Sequence, residues 1–498
     1  MEHETIEEKK RLQSYTPILK YYKKSMKKTY LLTMAATLIM GSCDLVEPDE
    51  IINPNVDEKT FLDSDNPMET WVNGTEKEFA LHMSDFVELM EILSDNYFNN
   101  YTRSSKVFDI PQLLYTDADV TKLQRHVGAL REMADYGLTT VAAADAHTTD
   151  SQRFHLLSVK AYSFLLAGDF FRALPVENGG DAVEWGQQLQ KAIEVLDEAL
   201  PLAASDDDRA FIHTLYARAA HRLGNRDLAV SHARQALAAS SAFCRQVSFD
   251  SKNGVLNGAQ EAIWSDWFQP LPRLDFLDPK YFQLASTDQC PITIAKAEEN
   301  YLILAEAALA ANDLVETKRQ LSDLLTLVLS RPVQTAVNDQ LEGRYNGGLK
   351  AFPNDPAYRV QASPTDSLRA GLIVDRRPPL FVDVPYISGT SVTQAMIDGL
   401  DNHDSALELV YLMRQEIFFA EGRRTADLGI RLPLCEVEAA HASNGNAYTE
   451  AFIPTFIPMN YGLDEFTIDE TAMTVTIRHN MNRIIVENAK SMDVAPFE

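Results

Sequence analysis

Residues Arg209 to Leu237 read RAFIHTLYARAAHRLGNRDLAVSHARQAL. Small residues fall at Ala217, Gly224, Ala229, Ala233 and Ala236, with Phe211, Leu215, Leu223, Leu228 and Leu237 between them. This spacing predicts two amphipathic helices joined at Gly224-Asn225, where a left-handed residue ends the first helix. The small side chains let the two helix axes approach closely. Such a hairpin cannot bury its apolar face alone, so the rest of the chain must supply stacked neighbours.

The spacing matches a hairpin of tetratricopeptide type, and three further candidates occur. The helix at 151–167 ends at Gly168-Asp169. The insertion LPVENGGD follows, and then a partner helix with Ala192, Leu196 and Ala199 on its inner face. From Ala297 to Leu327, Tyr301, Leu304, Ala305 and Ala308 share one helix, Asn312-Asp313 makes a turn, and Leu321 and Leu324 lie on the return helix. The fourth candidate runs from Ala406 to Leu428. Upstream, helices are expected over Pro67–Leu81, Asp85–Asn96 and Asp119–Asp145, and the tail from Phe452 to Glu487 reads as short strands. The predicted fold is mainly α: about four tetratricopeptide-like pairs form a scaffold, with long irregular insertions near 240–296 and 330–405 and a few short strands. Insertions of that length are commonly functional.

The chain has 498 residues and a formal net charge of −27. So acidic a surface repels phosphate backbones and argues against nucleic acid as a partner. The four cysteines, at positions 43, 244, 290 and 435, form no CxxC or metal-ligand spacing. Residues 26–43, MKKTYLLTMAATLIMGSC, carry Lys27 and Lys28 ahead of an apolar run too short to span a bilayer, then Gly41 and Ser42 before Cys43. This resembles a bacterial lipoprotein signal in which Cys43 is acylated, although Met40 stands where leucine is more usual. A buried helix followed by an incidental cysteine is the alternative. On the lipoprotein reading residues 1–42 are removed, translation starts at Met26, and residues 43–498 form one domain behind an acidic tether at about 44–55. Attachment to the membrane is through the lipid alone. The DLVEPDE stretch after Cys43 resembles the acidic surface-export signal of Bacteroidetes lipoproteins.

No GxSxG elbow, HExxH, P-loop or strand-linked GxGxxG occurs, and the histidines show no ligand spacing. No catalytic residue, metal site or cofactor is therefore expected. Two aromatic clusters stand out instead. DNYFNNYT, 95–102, brings Tyr97, Asn99 and Tyr101 together, and EAIWSDWFQP, 261–270, carries Trp264 and Trp267, with Tyr281 nearby. Exposed aromatic faces beside amides suit sugar rings, because the C–H face stacks and the amides bond the hydroxyls. The other reading makes these side chains core anchors.

The lipoprotein signal, the scattered hairpins and the stretch RQEIFFAEGRRTADL, 414–428, together resemble the SusD/RagB family of outer-membrane nutrient-binding lipoproteins. Arg414, Glu416, Glu421, Gly422, Arg424, Asp427 and Leu428 stand in for the family's charged helix motif. Gly168 to Pro201 is similar to its opened first hairpin, and AEENYLILAEAAL to another of its helices. The GIRLPL continuation and the missing family-type ending mark a divergent member. The resemblance implies a surface subunit that captures glycan, or alternatively peptide, and delivers it without catalysis to a SusC-type TonB-dependent transporter. It also implies that Glu421, Arg423, Arg424 and Asp427 form a structural ion-pair network. A helical-repeat scaffold lipoprotein and a lipid-anchored hydrolase are the readings from other classes. Scaffolds of the first kind have repeats contiguous in sequence, and the long insertions argue against that; the second would need an acid pair or nucleophile in a cleft, which the sequence does not reveal.

Overall fold

The first helical hairpin forms for local reasons. Helix α6, Asp206–Arg222, starts at a capping box: Ser205 Oγ accepts the Asp208 N–H at 3.0 Å while Asp208 Oδ2 accepts the Ser205 N–H at 3.2 Å. Gly224, at φ +69°, reverses the chain, and Asn225 Oδ1 accepts the Leu228 N–H to open α7, Arg226–Ala239. Ala217, Ala229, Ala233 and Ala236 are fully buried, as their spacing predicts. The same device recurs between α8, Glu298–Ala310, and α9, Leu314–Ser330: Asn312 has φ +58° and Asp313 Oδ1 accepts the Glu316 N–H at 2.9 Å.

The computed structural model describes residues 57–99, 106–264, 268–281, 289–337, 351–375, 381–459, 462–489 and 493–498. The expected signal segment, Cys43 and the acidic tether lie outside the described residues. The chain divides at Ser64/Asp65 into two compact units. In the first, helix α1, Glu58–Leu62, is capped by Asp57, which accepts the Thr60 N–H.

In the second unit the hairpins do stack. Helix α2 spans Pro67–Ile92, α3 Ala118–Tyr136, α4 Asp150–Phe170 and α5 Trp185–Ala199. Successive neighbours pack in the order α3, α4, α5, α6, α7 and α8, and α8 also packs on α10, His403–Ile417. Ala217, Ala220, Ala229 and Ala233 from α6 and α7 join Ile303 and Leu304 of α8 in one apolar cluster. Pairs separated by long stretches of sequence are therefore contiguous in space.

Three expectations are corrected. The two helices expected over 67–96 are one, because Asp85 lies on the helix surface, where Lys122 and His126 of α3 meet it, and interrupts nothing. Helix α4 runs through Gly168 to Phe170. A Cβ at Gly168 would lie 2.5 Å from Leu189 Cγ, so the glycine is there to let α5 approach. The fourth hairpin has only a single helical turn, Arg424–Asp427, in place of the expected return helix. Ala420 and Gly422, at φ +58° and +70°, turn the chain inward, and α10 packs instead on α11, Met481–Glu487, inside the stretch expected to be strands.

Short strands decorate the helices. They are β1 (Tyr97–Asn99), β2 (Ala173–Pro175), β3 (Ala182–Glu184), β4 (Cys244–Val247), β5 (Phe268–Pro270), β6 (Ile292–Lys296), β7 (Val333–Val337), β8 (Arg359–Gln361), β9 (Val382–Pro385), β10 (Phe466–Asp469) and β11 (Thr474–Ile477). The pairs β1–β5, β2–β3, β4–β6 and β7–β9 are antiparallel, and β10–β11–β8 make a three-stranded sheet. The last sheet includes the alternating MTVTI stretch. Cys244, Cys290 and Cys435 form no disulfide with one another.

Candidate functional site

The turn after α10 organises the interior. Arg424 pairs with Asp95 through Nε–Oδ1 at 2.6 Å and Nη2–Oδ2 at 3.1 Å, and Asp427 pairs with Arg414 at 2.8 Å. Glu421 receives Lys280 at 2.8 Å and Lys296 at 2.7 Å. Glu299 sits between Arg218 and Arg423, each at 2.7 Å, and the two guanidiniums hold its carboxyl well below the usual range against the opposing effect of burial. Glu91, whose carboxyl burial raises to about 7, accepts the Gly422 N–H at 2.7 Å. The charges of the EGRRTAD turn are thus matched inside the protein. Neighbours Glu298 and Glu299 leave α8 on different sides, the former to Arg331 and the latter to Arg218.

The two aromatic segments meet. Strand β1 pairs with β5 so that Tyr97 faces Pro270, Phe98 faces Gln269 and Asn99 faces Phe268. The side chains do not form an exposed platform. Tyr97 is fully buried and stacks on Phe419 at 4.8 Å between centroids. Asn99 is also fully buried, and its backbone N–H donates to Asp109. Tyr281 is buried and donates its hydroxyl to Ala420 O at 2.6 Å. All three are core positions: the turn at 419–421 covers Tyr97 and Tyr281, which their own segments cannot reveal, and Asn99 is buried beside Asp109. Trp264 ends the short helix Gly258–Trp264. Tyr101, Trp267 and the side chain of Trp264 lie outside the described residues.

A larger cleft lies elsewhere among the described residues, between the flank of α2, the start of α4 and the turn that follows β4. It holds about 800 Å³, within the range of small-ligand sites. Its rings are Phe79, Phe154, Phe211 and Phe249, of which Phe249 is half-buried. Its amides are Asn73, Gln152, Gln246 and Asn253. Gln246 is positioned by donating to Thr293 Oγ1 at 3.1 Å, and Asn253 by donating to Asp250 at 2.7 Å. Arg245 donates to Asp208 at 2.6 Å and lies over the Phe211 ring. His155 reaches toward Glu76 at 3.6 Å, and burial lowers its imidazole to about 4, so it is neutral at pH 7. The cleft therefore offers apolar faces and neutral polar groups, with Arg245 and Asp208 paired to each other and Glu76, Lys77 and Asp250 also in its lining. That combination suits stacking and hydroxyl recognition. The Ser158 hydroxyl in this cleft is engaged with Phe154 O.

Sequence reasoning chose aromatics beside amides but not these residues. The available signal was RQVSFDSKNG, 245–254, where Phe249 stands among polar residues ahead of a turn. Among the described residues no cluster of His, Cys, Asp and Glu could hold a metal ion, and no helix is long and apolar enough to cross a membrane.

Neither protein-family models nor curated proteins match this chain. Solved structures do. A SusD superfamily protein from Bacteroides fragilis superposes with a TM-score of 0.50 over 77% of this chain and 99% of its own, at 14% identity. A SusD-like carbohydrate binding protein from Bacteroides vulgatus gives 0.46 over 72% and 82%, at 13% identity. A chitin-binding SusD homolog from Flavobacterium johnsoniae gives 0.46 over 76% and 95%, also at 13% identity. The likeness to the B. fragilis protein defines the class: this chain has the SusD-like fold, as its RQEIFFAEGRRTADL stretch predicts.

Proposed function

We propose that this protein is a cell-surface lipoprotein that captures glycan without catalysis, anchored through Cys43, and passes it to a SusC-type TonB-dependent transporter. The observation that carries the reading is the cleft of about 800 Å³, lined on a SusD-like scaffold by the half-buried Phe249, three buried phenylalanines and four amides. Sugar recognition needs that combination: rings for the C–H faces and neutral donors and acceptors for the hydroxyls. The hairpins supply the rigid back, and the segments inserted between them supply the lining. Tyr101, Trp264 and Trp267 remain proposed contributors to glycan binding.

Calorimetric titration of the chain from Cys43 onward against a panel of neutral oligosaccharides tests the binding. Saturable heat without product formation is the expected result; cleavage of a bound sugar would overturn the non-enzymatic reading, and saturable binding of peptides alone would replace glycan by peptide. Co-purification with a large outer-membrane barrel, lost in Cys43→Ser, tests partner and anchor together. Full protection from protease added to intact cells would place the protein away from the cell exterior.

A further inference from the structure

A second cavity, of about 340 Å³, is enclosed by the segments around Arg273, 360–372, α10 and the start of α11. Arg273 lines it with only 6% of its surface exposed. Removing a guanidinium from water without a counter-charge is strongly unfavourable, so buried arginines are normally paired. The other buried arginines of the described residues obey that rule. Arg218, Arg222, Arg414, Arg424 and Arg431 reach carboxylates, and Arg131 donates to Pro175 O, Val176 O and Gln188. Arg273 alone makes neither a hydrogen bond nor an ion pair with its side chain.

None of the carboxylates around the same cavity forms an ion pair with Arg273. Glu416 accepts from the Thr390 hydroxyl and from the Ser391 N–H, both at 2.7 Å. Glu408 and Asp366 both pair with Arg483. A second lining arginine, Arg369, donates to Ser391 O at 2.7 Å and has no carboxylate partner. The cavity therefore presents two arginines that form no ion pair, beside Glu416, whose hydrogen-bond donors are neutral and whose charge acts on Arg273 without direct contact. Leu372, Leu409 and Leu412 form an apolar wall beside them. Asn482 Oδ1, also at this cavity, is a buried acceptor without a donor.

We propose that this cavity binds a sugar unit bearing a carboxylate, with Arg273 and Arg369 on the carboxylate and the leucine wall against the C–H face of the ring. A planar carboxylate matches the guanidinium fork, and the volume lies at the lower end of small-ligand sites, about 300–1,000 Å³. That the carboxylate rides on a sugar rests on the glycan reading above; that an anion fills the cavity does not. Arg273 is thus a specificity-determining residue for acidic ligands.

Titration of the chain from Cys43 onward with D-glucuronate and D-galacturonate, against glucose, galactose and acetate, tests the assignment. Uronates are expected to bind at least tenfold tighter than the neutral sugars and than acetate. Arg273→Gln and Arg369→Gln are each expected to weaken that binding at least tenfold. Arg273→Met is expected to raise Tm without ligand, because an unpaired charge leaves the interior. Equal binding of uronate and neutral sugar, retained uronate binding in Arg273→Gln, or a lower Tm in Arg273→Met would overturn the proposal. Neutral oligosaccharides binding normally to Arg273→Gln, with no uronate binding to the unaltered protein, would sink this inference and leave the glycan reading standing.

Discussion

Arg424 and Asp95, 329 positions apart in sequence, meet as a two-point ion pair with both side chains about 1% exposed. Taking one partner away leaves the other charged and buried, which costs about 3–5 kcal/mol. Arg424→Met is therefore expected to lower the unfolding free energy by that amount. The double variant Arg424→Met, Asp95→Leu recovers much of the loss. Urea denaturation followed by circular dichroism reads both, and additive losses would show that the two residues are not coupled.

Gly168 lies within α4, where alanine has the better helix propensity by about 1 kcal/mol. The space overrules propensity here, because a methyl group would run into Leu189. Gly168→Ala is expected to destabilise by about 1–3 kcal/mol, and adding Leu189→Ala to restore part of it. A gain in Tm from Gly168→Ala alone would contradict the close packing of α4 on α5.

His82 stacks on His126 at 3.9 Å, beside Asp85 and Glu78, and burial with the neighbouring imidazole pushes it down to about 3. The unfolded chain takes up this proton near pH 6.5 and the folded protein does not. Below that pH the unfolded state binds more protons, so this contribution is present at pH 7 and is lost as pH falls toward the folded value. Between pH 6.5 and pH 4.5 the stability of the unaltered protein is expected to fall by on the order of 2 kcal/mol relative to His82→Leu. Urea midpoints at the two pH values measure it, and parallel behaviour of the two proteins would refute it.

Phe249 faces the large cleft with part of its ring exposed. Phe249→Ala is expected to weaken glycan binding at least tenfold while shifting Tm by only a few degrees. Gln246→Ala acts in the same direction. Isothermal titration of an oligosaccharide that binds the unaltered protein provides the comparison, and undiminished affinity in both variants would move the site away from this cleft.

The hairpins were legible because their determinants are local: alanines one turn apart, a left-handed residue and an oxygen-bearing cap lie within a few residues of each other. The charged motif at 414–428 was legible as a structural cluster, but its partners were not. Asp95, Glu299, Lys280 and Lys296 carry no local mark of a counter-ion that lies more than a hundred positions away. The aromatic segments misled for a related reason. Tyr97 and Tyr281 sit among polar residues, as exposed rings do, and only the turn at 419–421 decides that they are covered. Phe249 and Gln246 were missed because β4 reads as an ordinary polar stretch until α2 and α4 are placed beside it.

The same turn makes the molecule sensitive to its own completion. Gly422 and Thr425 hydrogen-bond to Glu91 and Met90, 331 and 335 positions earlier, so helix α2 finds these partners only long after it has itself been synthesised. The local hairpins can form early, since their contacts are close in sequence. A product that stopped before Glu421 would hold Asp95, Lys280 and Lys296 without the counter-charges that let them be buried, and Glu299 with Arg218 alone. Such a fragment would stay open to proteolysis, and the motif would then act as a proofreading mark that separates finished molecules from truncated ones.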